Sequence, residues 1–252
     1  IYQNAYVRTD SYFDNSPLAS SGLPSKNELE LLNVWKDEIP AEVFTETFTP
    51  PITDGSGNDR KNLLKAKEIL EKEGWFVEDG KLVKDGKEFK FEFLIVSPSD
   101  EKIALAYQSN LKKLGITMDV RTVDSSQYQE RLLSYDFDMI KRYWGVSLSP
   151  GNEQQFYWGS EVGQKDGSRN YPGINSPAVD ALIEKLISAT NREELTTAIH
   201  ALDRVLLWGH YVVPLYHSNK DRIAYWDFFE YPDEIPLYGI VIESWWINKD
   251  KQ

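Results

Sequence analysis

The chain has 252 residues, enough to bury roughly 70–75% of its unfolded surface, which excludes a disordered chain and a disulfide-stapled mini-protein. Lys and Arg number 28 against 40 Asp and Glu, and the net charge of −12 opposes binding to nucleic acid or to an anionic membrane. The absence of cysteine excludes disulfides, thiolate catalysis, Cys-ligated zinc and iron–sulfur clusters, while 8 Trp, 14 Tyr and 11 Phe exceed the usual needs of packing and suggest an aromatic-lined binding surface.

The chain opens IYQNAYVRTD, without an initiator Met or a signal segment, so its amino terminus is expected to come from processing, cleavage or design. Its longest apolar stretch, Val205 to Tyr216, is too short to cross a bilayer, and no membrane insertion is expected. The first 58 residues are rich in turn formers and predict an irregular segment wrapped over a core, with one short helix near 27–37. From about Asp59, Leu63, Leu64, Ile69 and Leu70 recur at helical spacing up to about Glu73, where Gly74 supplies a left-handed stop. Asp79-Gly80 and Asp85-Gly86 punctuate two short alternating runs and predict a small hairpin.

Beyond this hairpin the hydrophobic period switches regularly between two and 3.6. Phe89, Phe91, Phe93 and Ile95 alternate along a strand; Ile103, Tyr107, Leu111 and Leu114 stripe a helix closed by Gly115; Ile116, Met118 and Val120 alternate again. Ser126-x-x-Gln129 reads as a capping box opening a second helix, and Phe137, Met139 and Ile140 begin a third strand ending near Trp144. The pattern is β-α-β-α-β, which predicts parallel strands with right-handed helical crossovers. A polar, Gly-rich stretch covers 149–175. Ser176-Pro177 then starts a helix with Val179, Leu182, Ile183, Leu186 and Ile187 on one face, and Asn191 with Glu194 starts another that runs to about Trp208. Residues 211–216 and 222–226 read as strands before an aromatic, irregular end.

The three histidines, His200, His210 and His217, lack the spacing of a zinc-protease helix and read as surface or packing residues, so no metal is expected. Neither a Gly-x-Ser-x-Gly elbow nor a phosphate loop is present, and no cofactor is expected. Residues 54–59 offer calcium-loop oxygens, but Asp59 occupies the place that demands Gly, and a turn leading into a helix cap fits better. Carboxylate pairs beside many aromatics keep open an acidic glycan-binding protein or glycoside hydrolase.

Ligands of parallel α/β sheets bind beyond the carboxyl ends of the strands. Here that edge carries Lys141-Arg142-Tyr143-Trp144-Gly145 and the loop from Val146 to Gln154. Arg142 is suited to pair with a carboxylate, Trp144 to stack on or cover an apolar group, and Asn152, Glu153 and Gln154 to satisfy amides or an ammonium. The alternative is that Trp144 belongs to the core and the loop is merely capped; Arg169-Asn170-Tyr171 carries the same ambiguity.

The strings LSPGNEQ (148–154), SRNYPGI (168–174), SPAVDALI (176–183), ALDRVLLWGHYVVPLY (201–216) and DRIAYWDFF (221–229) resemble the extracellular solute-binding proteins of family 5, the dipeptide and oligopeptide receptors of ABC importers. RTDSYF (8–13), SGLPS (21–25) and TDGSGN (53–58) also fit the branch typified by the periplasmic receptor of the microcin C importer. The resemblance implies a periplasmic-binding-protein-like (type II) α/β lobe with a mixed, largely parallel sheet flanked by helices. Residues 1–221 would form the second, carboxy-terminal lobe of a two-lobed receptor, and 222–252 would cross a hinge back to a first lobe outside this chain. Trp226, Phe228, Phe229, Trp245 and Trp246 would then be surface covered by that lobe. It implies a periplasmic, non-enzymatic protein that captures a peptide or peptide-like ligand and hands it to ABC importer permease subunits. The residues carried to the ligand side are Arg142, Trp144, Ser147, Asn152, Glu153, Gln154, Trp158, Arg169, Asn170 and Tyr171. Ser147 stands where many relatives place an Asp for the peptide ammonium, so that clamp is absent or shifted, with Glu153 as the replacement.

Overall fold

A computed structural model describes residues 5–163, 165–237 and 239–251. In chain order the elements are β1 (Val7–Arg8), α1 (Lys26–Leu32), α2 (Glu42–Thr45), α3 (Arg60–Lys72), β2 (Phe76–Glu78), β3 (Lys81–Lys84), β4 (Lys87–Glu88), β5 (Lys90–Ile95), α4 (Pro98–Lys112), β6 (Thr117–Thr122), α5 (Ser125–Leu133), β7 (Met139–Ile140), α6 (Glu153–Trp158), α7 (Pro177–Ile187), α8 (Arg192–Trp208), β8 (Tyr216–His217), β9 (Phe229–Glu230) and β10 (Trp246–Ile247). The described residues divide into two compact units, one within Asp10–Pro214 and one formed by 5–9 with those of 215–251.

In the larger unit the period switching produces a three-stranded parallel sheet of order β6-β5-β7, with Phe93 opposite both Val120 and Met139. Alternation along β5 sends Phe93 and Ile95 to one side and Leu94 to the other. Phe93 and Ile95 pack with Ala104 and Leu111 of α4 and with Ile116 and Met118. Leu94 packs with Val123, Tyr128 and Leu132, chiefly from α5. The helices therefore cover opposite faces, as crossover connections of a parallel sheet require.

The 79–86 turns fold as expected and extend to an antiparallel meander, β2-β3-β4. Gly115 joins this meander to the end of α4. Its φ is +80°, its carbonyl accepts the Leu82 amide at 2.7 Å, and a Cβ there would lie 2.8 Å from that amide nitrogen, so only glycine fits. The 54–59 segment is the expected turn and cap: Asp54 accepts from the Ser56 amide at 2.9 Å, and Asp59 caps α3 through the Asn62 amide at 3.0 Å.

The second core of this unit is helical. α7 and α8 bury Val179, Leu182, Ile183, Leu186, Ile199, Leu202, Val205 and Leu206, joined by Phe13, Leu18, Leu32 and Trp158. Ser176 and Asn191 cap these helices as expected, accepting the amides of Val179 and Glu194.

Several local expectations are corrected. Asp124, not Ser126, caps α5, because its carboxylate reaches the amides of Ser126 (2.8 Å) and Gln127 (3.0 Å). The third strand shrinks to Met139–Ile140, and residues 153–158 in the polar stretch form a helix. Among the described residues of the smaller unit, strand pairing is that of β1 with β8 and of β9 with β10, both antiparallel, so 222–226 is not a strand and 211–216 contributes only its last residue. None of the described residues of this smaller unit is buried; Trp226 is 73% exposed, while Tyr225, Tyr231 and Trp245 meet one another at ring distances of 4.9–5.8 Å.

Candidate functional site

The carboxyl ends of β5 and β7 meet at an ion pair between Lys141 and Asp100, the latter in the first turn of α4. The next residue, Arg142, turns outward. Its guanidinium lies 5.0 Å from the Tyr171 ring centroid, with Nη2 donating to the Tyr171 hydroxyl at 3.4 Å. Tyr171 in turn packs against the Leu94, Val123, Tyr128 and Leu132 cluster on that side of the sheet, with its ring 6.3 Å from that of Phe137. Tyr128 of α5 lies close by, and its hydroxyl donates to the Lys141 carbonyl at 3.4 Å. Burial pushes the Tyr128 phenol up, against the opposing pull of the Arg142 charge. Arg142 and Arg169 are exposed and neither forms an ion pair with a carboxylate among the described residues. Tyr143, 89% exposed, separates Arg142 from Trp144.

Trp144 is half-buried and rests on Trp158, with ring centroids 4.8 Å apart and planes at 47°. Trp158 is buried, and its indole donates from Nε1 to Gln154 Oε1 at 2.9 Å, a bond within one turn of α6. Gln154 Nε2 donates to Glu153 Oε1 at 3.3 Å, and that oxygen also accepts the Gly151 amide at 2.9 Å. Glu153 thus braces the loop with Oε1 while Oε2 stays outside these bonds. Ser147 Oγ accepts the Ser149 amide at 3.1 Å, and Arg192 at the start of α8 donates to the Leu148 carbonyl, tying the loop to the helical core.

The candidate residues therefore gather into two clusters, Arg142 with Tyr171 and Trp144 with Trp158, Gln154 and Glu153. Ser147, Asn152 and Arg169 are exposed and touch neither cluster through a side-chain hydrogen bond. Gln154, Trp158 and Asn170 face inward. Asn170 is fully buried; its Nδ2 donates to the carbonyls of Gly159 (3.0 Å) and Ile174 (2.8 Å), and its Oδ1 accepts the Ile174 amide at 2.8 Å. Its polar atoms are spent holding the 159–174 loop. A surface depression of about 670 Å³ along α5, bordered by Ser125, Gln129, Leu133 and Asp166, contains none of the candidate residues.

Sequence reasoning passed over a polar cluster beneath this region. Asp203 and Arg204, adjacent in α8, are both buried. Asp203 Oδ2 accepts from Ser11 Oγ (2.8 Å), the Ser20 amide (3.0 Å) and Ser20 Oγ (2.7 Å), and Oδ1 accepts the Tyr12 amide (2.8 Å). Burial pushes this carboxyl up while its donors pull it back. Arg204 meets Glu28 at 2.6 Å and donates to the carbonyls of Gly22, Ser21 and Leu23. Desolvation opposes the Glu28 charge, but bonds from His200 and Arg204 outweigh it and lower that carboxyl to about 2. The available signal was a charged pair interrupting an otherwise apolar run of α8.

Among the described residues no His, Asp or Glu group is arranged to hold a metal, and no helix is long and apolar enough to cross a membrane. Residues 2–166 match the model of the bacterial extracellular solute-binding proteins, family 5 Middle. The chain is 49% identical over 249 residues to the uncharacterized protein y4wM of Sinorhizobium fredii, covering 98% of this chain and 38% of that protein. It is 42% identical to the probable peptide-binding protein YejA of Agrobacterium fabrum, covering 97% of this chain and 40% of YejA. Among solved structures it resembles the oligopeptide-binding protein AppA of Bacillus subtilis in complex with a nonapeptide, with a TM-score of 0.58 and 23% identity over 88% of this chain and 45% of AppA. The chain thus spans about two fifths of the length of the curated relatives it matches.

Proposed function

The chain belongs to the bacterial extracellular solute-binding proteins of family 5, and from that premise we propose that it forms the second lobe of a periplasmic receptor that captures peptides or peptide-like conjugates for an ABC importer. The observation that carries the ligand side is the exposed Arg142 guanidinium, free of a carboxylate partner among the described residues, with the half-buried Trp144 two residues on, just beyond the carboxyl end of a parallel strand. In this reading Arg142 takes an anionic group of the ligand and Trp144 covers an apolar one. Glu153 Oε2 takes an ammonium, in place of the acid missing at Ser147. Asn152 and Arg169 contact the ligand from the two loops, while Gln154, Trp158 and Asn170 hold those loops in shape. Ligands with modified amino termini, as in the microcin C branch, suit the displaced clamp.

The smaller unit is read as the return toward a first lobe. The lack of buried residues among those described there and the exposure of Trp226 and Trp246 support a surface made to be covered. Closure of two lobes over the ligand supplies most of the burial on which affinity depends. Calorimetry of the receptor-length protein with short peptides and with oligosaccharides tests the reading: heat with peptides is expected, and binding of sugars but not peptides overturns it. The 252-residue chain alone is expected to bind peptides weakly, and nanomolar affinity would overturn the lobe assignment.

A further inference from the structure

We propose that Asp203 is a positioning residue for the ligand-facing surface of Trp144, acting through Tyr12 and Trp158; the proposal rests on the reading that Trp144 lines the site. Asp203 lies at 0% exposure in the most buried helix of the fold, and its carboxylate grips the Tyr12 amide at 2.8 Å while fixing the flanking Ser11 and Ser20 hydroxyls. The Tyr12 ring then meets Trp158 edge-on, at 5.0 Å and 85°, and Trp158 carries Trp144 at 4.8 Å. The edge-on Tyr12–Trp158 contact is a favoured aromatic geometry, the tilted Trp158–Trp144 pair is in ring contact, and a close-packed interior passes a shift at one end of such a column to the other.

Tyr12 itself shows where the positional information comes from. Its hydroxyl is buried and has no hydrogen-bond partner among the described residues, so the ring is held by its backbone and its packing, not by its own polar tip. The backbone hold is Asp203. From the other side, the Gln154 bond to the Trp158 indole fixes the rotation of the middle ring. A site residue held by a locked second ring is the arrangement that ligand stacking requires.

The test reads the exciton couplet of the two indoles by circular dichroism of the chain, isolated by subtracting the Trp144→Phe spectrum. Asp203→Asn cannot accept from both the Tyr12 and Ser20 amides as the carboxylate does, and is expected to lose most of the couplet while retaining the helical signal. Tyr12→Ala is expected to do the same with the carboxylate intact, and Tyr12→Phe to keep the couplet of the unaltered protein. If Asp203→Asn does not fold, Tyr12→Ala decides. A variant pair that lowers the urea midpoint without moving the couplet makes Asp203 merely structural and overturns the proposal. Trp144→Ala in the receptor-length protein tests the underlying reading separately: unchanged peptide affinity there, with the couplet lost in Asp203→Asn, removes the ligand role of Trp144 and leaves the positioning chain standing.

Discussion

Replacing Arg204 with Met probes the buried cluster where its energetics are most exposed to measurement. Glu28 and Arg204 are each only 5% exposed, and the guanidinium serves four acceptors: Glu28 Oε2 at 2.6 Å and the carbonyls of Gly22 (2.7 Å), Ser21 (2.9 Å) and Leu23 (3.3 Å). Arg204→Met strands a buried carboxylate, and breaking such a pair costs about 3–5 kcal/mol. The 21–23 turn is largely exposed, so its carbonyls recover water, and we expect a total of about 4 kcal/mol and not the sum of every bond. The double variant Glu28→Met/Arg204→Met removes both charges and is expected to lose only about 1–2 kcal/mol, less than the single change. Urea denaturation reads the midpoint at constant slope. The acid limb gives an independent check. The folded Glu28 carboxyl titrates near 2 against an ordinary 4.5, so its contribution is complete above about 4.5 and disappears as the pH falls toward 2. Glu28→Gln should flatten that part of the profile. An Arg204→Met cost below about 1 kcal/mol, or a double variant no more stable than the single, would refute the reasoning.

His200 donates toward Glu28 and lies 3.3 Å from the Pro17 carbonyl, and the Glu28 bond raises its pKa above the ordinary 6.5. Its stabilisation of about 1 kcal/mol is therefore complete below 6.5 and is lost as pH rises through the higher folded value. The gap between the native chain and His200→Gln should narrow from pH 6 to pH 9, and a pH-independent gap counts against the assignment. Asn170→Ala leaves the buried Ile174 amide and carbonyl without partners, while the Gly159 carbonyl keeps the Gly163 amide, and should cost about 2–4 kcal/mol in urea unfolding. A loss no greater than that of an exposed substitution shows that the 159–174 loop does not depend on this amide.

The parallel sheet was readable because each segment obeys its own period: Phe91, Phe93 and Ile95 alternate, Tyr107, Leu111 and Leu114 keep helical spacing, and both classes end in the same core. α7 and α8 were readable from Ser176 and Asn191, whose side chains do the capping that their position announces. α6 was not, since its six residues carry no side-chain cap and its apolar members, Phe156, Tyr157 and Trp158, are consecutive. Asp124 outcompeted Ser126 because a carboxylate two residues earlier, at the cap position, reaches two amides. At the candidate site, sequence pointed to one edge of the sheet but not to which way each polar residue faces there. Asn170 looks like any other loop amide until its three bonds to the loop backbone are seen. The Asp203–Arg204 cluster was illegible for a related reason: its partners lie 176–192 residues away, and no local pattern announces them.

That separation bears on when the chain can finish folding. Residues 11–28 are synthesised 176–192 residues ahead of the α8 carboxylate and guanidinium that satisfy them. At 5–20 residues per second a ribosome leaves this stretch waiting for on the order of 10–40 s, with its amides and carbonyls hydrated and Phe13 and Leu18 lacking the α8 surface they bury against. Docking of the early segment is then a late, long-loop event, and damage to α8 should be felt first as slow maturation and exposure of the 11–28 stretch to proteases, before any loss of the parallel sheet.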